Sequence, residues 1–257
     1  MGRERKLGKL NQLISKDRLE TFIKVRVGLR TKLSPRFSVK KAHAMQRRLS
    51  KKVISEDRLP RKIRCVAGVD VAYARGVSVG AVAVLDSDSL LLIESQMARC
   101  KTRFPYIPTL LSFREIPPVF LAVKKLKVQP DVFLVDGQGV AHPFRFGFAS
   151  HLGLVIDRPT VGVAKSLLCG EVGKFNDGGW APIIDKGAVI GAAVRTLFGE
   201  KPIYVSIGHR VSLDKAIIVV RHCARGKRIP EPILKAHVIA NEEKKKLAVM
   251  SPKSVRV

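Results

Sequence analysis

Two aspartates in this 257-residue chain interrupt apolar, strand-like runs and are its first candidates for chemistry. Asp70 lies within CVAGVDVAY, and Asp136 follows the apolar residues of DVFLVDGQG. A carboxylate among buried strand residues is costly unless a cation compensates its charge. Because the formal net charge of +27 indicates affinity for polyanions, we expect that cation to be a divalent metal that also contacts phosphate. On neighbouring central strands, the two carboxylates could share such a metal.

The surroundings of Asp136 allow two interpretations. The glycines at Gly137 and Gly139 permit a tight turn that a phosphate could approach. An aspartate in this position is equally well explained as a turn former that accepts backbone hydrogen bonds. Asp70 is harder to explain structurally because it lies inside its strand.

Glu115 is the third candidate carboxylate, and its interpretation depends on two prolines. Residues 112–115 fit the S-x-x-E capping box, which would give Glu115 a structural role. Pro117 and Pro118 would disrupt a helix that begins there, whereas a helix that begins at Pro117 suits proline well. We therefore predict a helix over about residues 117–126, with Glu115 just outside it and free to face a ligand.

Four further side chains have suitable chemistry but are ambiguous alone. His142 and His237 could be ordinary structural histidines, and Lys165 could simply extend to solvent. Tyr106 could pack a loop. However, Pro105 and Pro108 stiffen its segment and present the ring, which suits insertion into a base stack.

Hydrophobic periodicity predicts the elements that position these residues. Ser38 and Ser212 are suitable helix N-caps. Three consecutive strands followed by strands that alternate with helices predict an α/β protein with a mixed sheet and helices on both faces. The helices are expected at about residues 10–25, 38–54, 117–126, 143–154 and 212–223, with a short one after residue 232, and the strands at about 65–73, 78–85, 90–98, 131–135, 160–165, 188–196 and 202–209.

The positive charge is concentrated towards the N-terminus. Residues 1–64 hold 21 Lys and Arg against 5 Asp and Glu, a net +16, whereas residues 65–220 hold 17 against 13, a net +4. This distribution favours a nearly neutral catalytic core with phosphate-binding segments beside it.

The cysteines and the hydropathy indicate the compartment. Four scattered cysteines without C-x-x-C spacing disfavour a zinc ribbon or a disulfide scaffold and favour a reducing compartment. The basic N-terminus lacks the apolar segment of a signal peptide, and no apolar run approaches the roughly 18 residues of a membrane span. We therefore expect a cytoplasmic protein without a membrane segment.

At these residues the chain resembles the endonuclease V family, nucleases that recognise inosine or deoxyinosine. The resemblance covers about residues 40–240, and its ordered blocks make it far more specific than any single motif. The matching blocks are GVDVAY (68–73), PYIP (105–108), SFREIPP (112–118), DGQGVAHP (136–143), FASHLG (148–153), GVAKS (162–166), VSIGHR (205–210) and IPEP (229–232).

The resemblance implies an RNase H-like fold and a metal-dependent cut in nucleic acid. The carboxylates Asp70, Glu115 and Asp136 would bind Mg²⁺, with Mn²⁺ as the alternative, and His237 would complete the ligand set. His142 and Lys165 match family residues near the scissile phosphate and would join these four as catalytic residues.

The resemblance also implies how substrate is recognised and cut. Tyr106 matches a wedge loop that separates inosine from its neighbours. The cut would fall at the second phosphodiester bond 3′ of inosine or deoxyinosine, leaving 3′-hydroxyl and 5′-phosphate ends, in DNA repair or in the processing of inosine-containing RNA. The expected substrate-binding residues are Tyr106, Pro105, Ile107, Pro108, Gly137, Gly139, His142 and Lys165.

Three positions depart from the family pattern. Thr109 follows PYIP where glycine is usual, and a β-branched residue would be strained there if the position needs a positive φ. Phe144 replaces an arginine after HP, so a phosphate contact could be lost. Leu234 replaces another arginine two residues after IPEP.

We predict a basic helical N-terminal extension at residues 1–37, an RNase H-like catalytic domain at 38–241 and a basic tail at 242–257. Nothing in the sequence demands a dimer, so we expect a monomer. Two alternatives remain open: another RNase H-like nuclease specific for RNA–DNA hybrids or branched structures, and a basic nucleic-acid-binding protein without catalysis. The second alternative does not explain acidic residues inside strands.

Overall fold

The computed structural model describes residues 38–249. The helix predicted at about residues 10–25, the extension at 1–37 and the end of the tail at 250–257 lie outside the described residues. Within residues 38–249, nine strands form one sheet in the order β3-β2-β1-β4-β5-β9-β8-β7-β6. The strands are β1 Cys65–Ala74, β2 Val77–Asp86, β3 Leu92–Lys101, β4 Val132–Asp136, β5 Thr160–Ala164, β6 Glu171–Val172, β7 Trp180–Asp185, β8 Ala188–Val194 and β9 Ile203–His209.

The sheet is mixed, as predicted. Strands β1, β2 and β3 form an antiparallel meander, while β4 pairs in parallel with both β1 and β5. The remaining neighbours, from β5 through β9 to β6, pair antiparallel. The parallel strands β1, β4 and β5 therefore lie at the centre of the sheet.

Helices cover both faces of the sheet, as predicted. Helices α2 and α3 pack on one face, while α4 and α5 pack on the other. The predicted N-caps are present: Ser38 Oγ and Ser212 Oγ accept hydrogen bonds from the backbone N–H groups of the first turns of α1 and α4. The helices are α1 Val39–Ser50, α2 Leu111–Val123, α3 Phe148–Ile156, α4 Leu213–Ala224 and α5 Glu231–Val249.

Strand alternation assigns each side chain of the central strands to a face. In β4, Val132 and Leu134 belong to the core beneath α4 and α5, whereas Phe133 and Val135 belong to the core beneath α2 and α3. Because side chains alternate along a strand, Asp136 continues the series that faces α5.

Helix α5 approaches β1 very closely at a glycine. A Cβ at Gly68 would lie 1.9 Å from the carbonyl oxygen of Pro232. Only a residue without a side chain permits this contact. The N-terminal end of α5 therefore rests directly on the backbone of β1, two residues before Asp70.

The prediction of a helix starting at Pro117 was wrong. Helix α2 begins at Leu111 and contains both Pro117 and Pro118. Each proline lacks a backbone donor, but the helix buries Ile116, Val119 and other apolar residues against the sheet. Apolar burial of this kind contributes roughly 1.5–3 kcal/mol per large side chain, which offsets the lost hydrogen bonds.

Other boundaries also differ from those predicted. Helix α5 is long rather than short, and the predicted boundary at residues 241/242 falls inside it, with Leu247 fully buried. Helix α3 begins at Phe148 rather than at Pro143. Strands β6 and β7 were missed; β7 contains Pro182, a residue that is unusual inside a strand.

Within residues 38–249, none of the helices combines the length and the apolar character that a bilayer crossing requires.

Candidate active site

Two aspartates and a histidine meet where the central parallel strands approach α5. The last matched pair of β1 and β4 is Val69 opposite Val135, and Asp70 and Asp136 each follow it directly. His237 extends from α5 towards the same point. One ligand atom from each of Asp70, Asp136 and His237 lies within 4.8 Å of the others. Parallel pairing and alternation thus bring together residues that are 66 and 101 positions apart.

Each aspartate of this group is paired with a cationic or protonatable side chain. His237 Nδ1 lies 2.7 Å from Asp70 Oδ2, and Lys165 Nζ lies 2.5 Å from Asp136 Oδ2. Burial raises the pKa of Asp70, and the neighbouring charge of Asp136 raises it further, while the hydrogen bond with His237 opposes the shift. The ionised form of Asp70 is therefore disfavoured until more positive charge is supplied.

Glu115 lies inside α2, not outside a helix as predicted. Its side chain is buried, its Oε1 accepts a hydrogen bond from the Tyr73 hydroxyl at 3.4 Å, and its Oε2 has no hydrogen-bond partner. Burial raises the pKa of Glu115 well above its ordinary value, with further contributions from Asp70 and Asp136. Glu115 is thus coupled electrostatically to the aspartate pair, although it is not one of the three residues whose ligand atoms converge within 4.8 Å. Together with that pair and His237 it forms what we call the carboxylate cluster (Asp70, Glu115, Asp136, His237).

The donor set of this cluster fits a divalent cation. The carboxylates of Asp70 and Asp136 converge and Glu115 interacts electrostatically with both, so the two nearby basic side chains, Lys165 and His237, cannot together neutralise all three carboxylates. The unpartnered oxygen of Glu115 is a costly feature by itself. Carboxylate oxygens suit Mg²⁺ and Mn²⁺, and an imidazole is also accepted by transition metals.

His142 lies beside the PYIP loop rather than in the group of three ligand atoms. It is buried, and its Nδ1 accepts a hydrogen bond from the Phe144 N–H at 3.2 Å. Burial lowers the pKa of His142 to about 4, partly opposed by a hydrogen bond with the Thr109 backbone. Its imidazole is therefore neutral at neutral pH.

The backbone amides of the turn predicted to bind phosphate, at Gly137 and Gly139, are both hydrogen-bonded within the protein. The Gly137 N–H donates to the Val163 carbonyl at 3.1 Å, and the Gly139 N–H donates to Ser206 Oγ at 2.9 Å. A Cβ at Gly139 would lie 2.0 Å from the Ile207 carbonyl oxygen. Both amides are thus engaged within the protein, and Gly139 allows the segment after β4 to pack directly against the backbone of β9.

The PYIP loop presents one aromatic ring to solvent. Tyr106 is 67% exposed, and Pro105 and Pro108 are exposed beside it. Ile107, also predicted to bind substrate, is half-buried and packs against the apolar cluster that includes Ala42 and Phe104. The loop is therefore fixed from below while its tyrosine projects outwards.

The first two departures from the family pattern lie beside α1. Thr109 has φ of +69°, so the positive φ considered from the sequence is present. Phe144 stacks on His43 with ring centroids 4.0 Å apart, and the Arg47 guanidinium lies 4.8 Å from the Phe144 ring centroid. The third, Leu234, lies in the first turn of α5.

Sequence reasoning missed several side chains that support the site. The Arg114 guanidinium lies 4.0 Å from the centre of the Tyr73 ring, and Tyr73 in turn contacts Glu115. The Asn241 side chain, one turn along α5, donates to the His237 carbonyl oxygen at 2.9 Å. Arg228 donates to the Lys165 carbonyl oxygen at 3.0 Å. The only sequence signal for these supporting residues was that Tyr73 and Arg114 lie inside the blocks GVDVAY and SFREIPP that resemble the family.

Known proteins share this fold and much of the sequence. The family model of endonuclease V matches residues 47–238. An endonuclease V from Thermofilum pendens is 46% identical over 210 residues, covering 81% of this chain and 90% of that protein. The solved structure of an endonuclease V from Streptomyces avermitilis superposes with a TM-score of 0.78 at 38% identity, covering 85% of this chain and 98% of the other.

A nucleic-acid complex is among the similar structures. Endonuclease V from Ciona intestinalis, solved with a 24mer DNA containing an inosine followed by a ribo-adenosine, gives a TM-score of 0.73 at 33% identity and covers 81% of this chain and 98% of that one. The mixed sheet and the carboxylate cluster, together with these similar proteins, thus define a nuclease with an RNase H-like fold. The chain belongs to the endonuclease V family.

Proposed function

We propose that this enzyme is a metal-dependent endonuclease that nicks nucleic acid at the second phosphodiester bond 3′ of inosine or deoxyinosine. The observation that carries the proposal is the convergence of Asp70, Asp136 and His237 ligand atoms within 4.8 Å at the centre of the sheet. The complex of the Ciona intestinalis relative with inosine-containing DNA supports the choice of substrate. Hydrolysis would leave 3′-hydroxyl and 5′-phosphate ends.

The carboxylate cluster would hold the metal, with Asp70 and Asp136 as the principal ligands and His237 and Glu115 beside them. When bound, Mg²⁺ or Mn²⁺ supplies positive charge to the phosphate and lowers the pKa of a water nucleophile. The cation would also offset the electrostatic cost of placing the Asp70 and Asp136 carboxylates side by side. This cost is evident in the raised pKa of Asp70.

The protein's own groups divide the remaining tasks. Lys165 is about half exposed, so its ammonium group can contact a phosphate oxygen of the substrate. Glu115 has an unpartnered Oε2 and a raised pKa, which suits a group that accepts a proton from water. His142 is neutral and contacts the loop side of the site, so we assign it to positioning substrate rather than to metal binding.

Tyr106 is proposed to recognise the lesion by stacking. Its ring is exposed on a loop whose neighbouring residues are fixed, so little entropy is lost when it contacts a base. Aromatic stacking tolerates any base, and a wedge uses it where a nucleotide leaves the stack. Selectivity for inosine would then arise from the ease of unstacking and from contacts to the flipped base.

The test is cleavage of end-labelled strands that differ at one nucleotide. Matched DNA strands with deoxyinosine or deoxyguanosine, and matched RNA strands with inosine or guanosine, are incubated with Mg²⁺, with Mn²⁺ and with a chelator. We expect metal-dependent cutting of the inosine strands at the second bond on the 3′ side, with 5′-phosphate ends detected by ligation. Equal cutting of both members of each pair, or preferential cutting of RNA–DNA hybrids without inosine, would overturn the proposal.

A further inference from the structure

The loop that carries Tyr106 ends in a residue with an unfavourable backbone conformation. Thr109 has φ of +69°, a region that β-branched residues rarely occupy because of steric conflict. Such a conformation persists only where surrounding contacts impose it. The contacts that impose it here come from α1, more than 60 residues away in the sequence.

Two side chains of α1 hold Thr109. A hydrogen bond of 2.9 Å joins His43 Nε2 and Thr109 Oγ1. Gln46 Nε2 donates to the Thr109 carbonyl oxygen at 2.8 Å and to the Phe146 carbonyl oxygen at 3.1 Å. Both partners of Gln46 are carbonyl oxygens, so its amide can face them in only one orientation. Gln46 is fully buried, which strengthens these bonds.

The orientation of His43 is itself fixed. Its ring stacks on Phe144 at a centroid distance of 4.0 Å and an interplanar angle of 24°, and the Arg47 guanidinium lies 4.8 Å from the centre of the same Phe144 ring. Two positions that depart from the family pattern, Thr109 and Phe144, therefore both contact His43. His43 and Gln46 also precede residue 47, where the match to the family model begins.

Apolar packing joins the same two parts of the chain. Ala42 of α1 belongs to the buried cluster of Phe104, Leu110 and Phe113, and Met45 and Ile107 pack against it. The loop is thus attached to α1 on both sides of Tyr106, by Phe104 before it and by Ile107 and Thr109 after it. The tyrosine itself remains 67% exposed.

We propose that His43 and Gln46 are positioning residues for lesion recognition: by holding Thr109 in its left-handed conformation, they set where Tyr106 meets the base stack. We call His43, Gln46 and Thr109 the loop anchor. This inference rests on the proposed function, since it assigns the loop anchor a part in selecting inosine. Neither residue touches the reacting atoms, so the chemistry of the cut does not depend on them.

The decisive measurement compares His43→Ala with the wild-type protein on strands with and without inosine. One net hydrogen bond changes an equilibrium by up to about tenfold, so we expect the preference for inosine to fall by about that factor. The cleavage rate at saturating inosine strand should stay close to wild type, so the loss appears in KM rather than in kcat. His222→Ala is the matched control, because the Nε2 of His222 is also hydrogen-bonded to a segment distant in sequence, in this case to the Ser87 carbonyl oxygen at 2.6 Å, but from α4.

A second substitution separates positioning from a general loss of structure. Glycine adopts a positive φ without steric cost, so Thr109→Gly should make His43 dispensable. We expect His43→Ala to lower the preference for inosine much less in the Thr109→Gly background than in wild type, a non-additive pair. Additive effects, or an unchanged preference in His43→Ala alone, would overturn the proposal.

Base unstacking gives a readout that a merely structural role would not change. A fluorescent 2-aminopurine beside the inosine brightens when the wedge separates the bases, and we expect half of this increase to require a higher protein concentration in His43→Ala and in Gln46→Ala than in wild type. Hydrogen exchange of residues 103–110 should be faster in both variants than in His222→Ala. Unchanged exchange would show that α1 does not hold the loop. If wild type itself showed no preference for inosine, the proposed function would fail, while the exchange measurement would still decide whether the loop anchor exists.

Discussion

The carboxylate cluster and the loop anchor are built on opposite physical principles. The cluster consists of ionisable groups on two central strands and on helices α2 and α5, and the pairing of the strands and the close packing of α5 on β1 determine their positions. The loop anchor consists of neutral hydrogen bonds and a ring stack between a helix and a loop. Removing charge from the first should abolish chemistry. Loosening the loop anchor should lower the preference for inosine-containing nucleic acid, and only modestly.

The largest effect is expected from Asp70→Ala and Asp136→Ala. Loss of a metal carboxylate removes several kcal/mol of transition-state stabilisation, which corresponds to about a thousandfold in rate. Binding to inosine strands should remain, because cationic side chains still contact phosphate. Single-turnover cleavage and a filter-binding titration measure the two quantities.

The control for these variants is Asp131→Asn. Asp131 Oδ2 accepts hydrogen bonds from the N–H groups of Arg64 and Cys65 at 2.7 and 3.0 Å, so this carboxylate supports the start of β1 rather than the site. We expect a lower melting temperature but retained cleavage. Robust cleavage by Asp70→Ala or Asp136→Ala would contradict the assignment of the metal ligands.

Glu115→Gln should lower activity while stabilising the metal-free protein. Loss of a proton acceptor costs about a hundredfold in rate. Burial raises the pKa of Glu115 in the folded state, so the folded protein binds this proton more tightly than the unfolded chain does. The free energy of unfolding therefore falls as pH rises from the ordinary glutamate value towards the raised one. Glutamine removes that penalty.

Melting curves of the metal-free proteins at several pH values measure this effect. At neutral pH the variant should melt higher, by about 2–4 °C for each kcal/mol recovered, and the difference should vanish below pH of about 4, where glutamate is protonated in both states. Added Mg²⁺ should raise the melting temperature of wild type more than that of the variant. A variant that melts lower than wild type at neutral pH would show that the buried charge is already compensated.

The smallest of the three effects is expected from Tyr106→Ala. Stacking on one base contributes about 1–3 kcal/mol, so the preference for inosine over guanosine should fall about tenfold or more. Affinity for inosine-free strands should change little, because phosphate contacts dominate it. Phe in place of Tyr106 keeps the ring and should retain the preference; equal discrimination in wild type and Tyr106→Ala would show that the loop does not recognise the lesion.

The same contrast explains what could be predicted from the sequence. Asp70 and Asp136 stood out because a charge inside an apolar run violates the usual strand pattern, and neighbouring central strands were expected to bring them together. Most strands followed from periodicity for the same reason. The position of Glu115 was predicted wrongly because a local rule about prolines was applied where burial against the sheet decides.

The loop anchor could not have been predicted in this way. His43 and Gln46 look like ordinary residues of an amphipathic helix, and their contacts with Thr109 span 66 and 63 positions. Only the unusual threonine after PYIP gave a local signal, and it indicated possible strain rather than the contacts that impose it. Contacts between uncharged side chains that are distant in sequence produce no periodic pattern from which they could be predicted.

Gly68 shows how the spacing of the ligands resists change. The carbonyl of Pro232 occupies the place that a methyl group on Gly68 would need, so strand and helix meet through bare backbone. Asp70 lies two residues beyond this contact on the strand, and His237 lies five residues beyond it on the helix. No side chain lies between β1 and α5 at this point, so backbone contact alone sets the distance between them. Substitutions elsewhere in the core that add or remove methylene groups should therefore change this distance little. Gradual sequence drift can therefore erode the stability of this enzyme long before it alters the dimensions of the metal site.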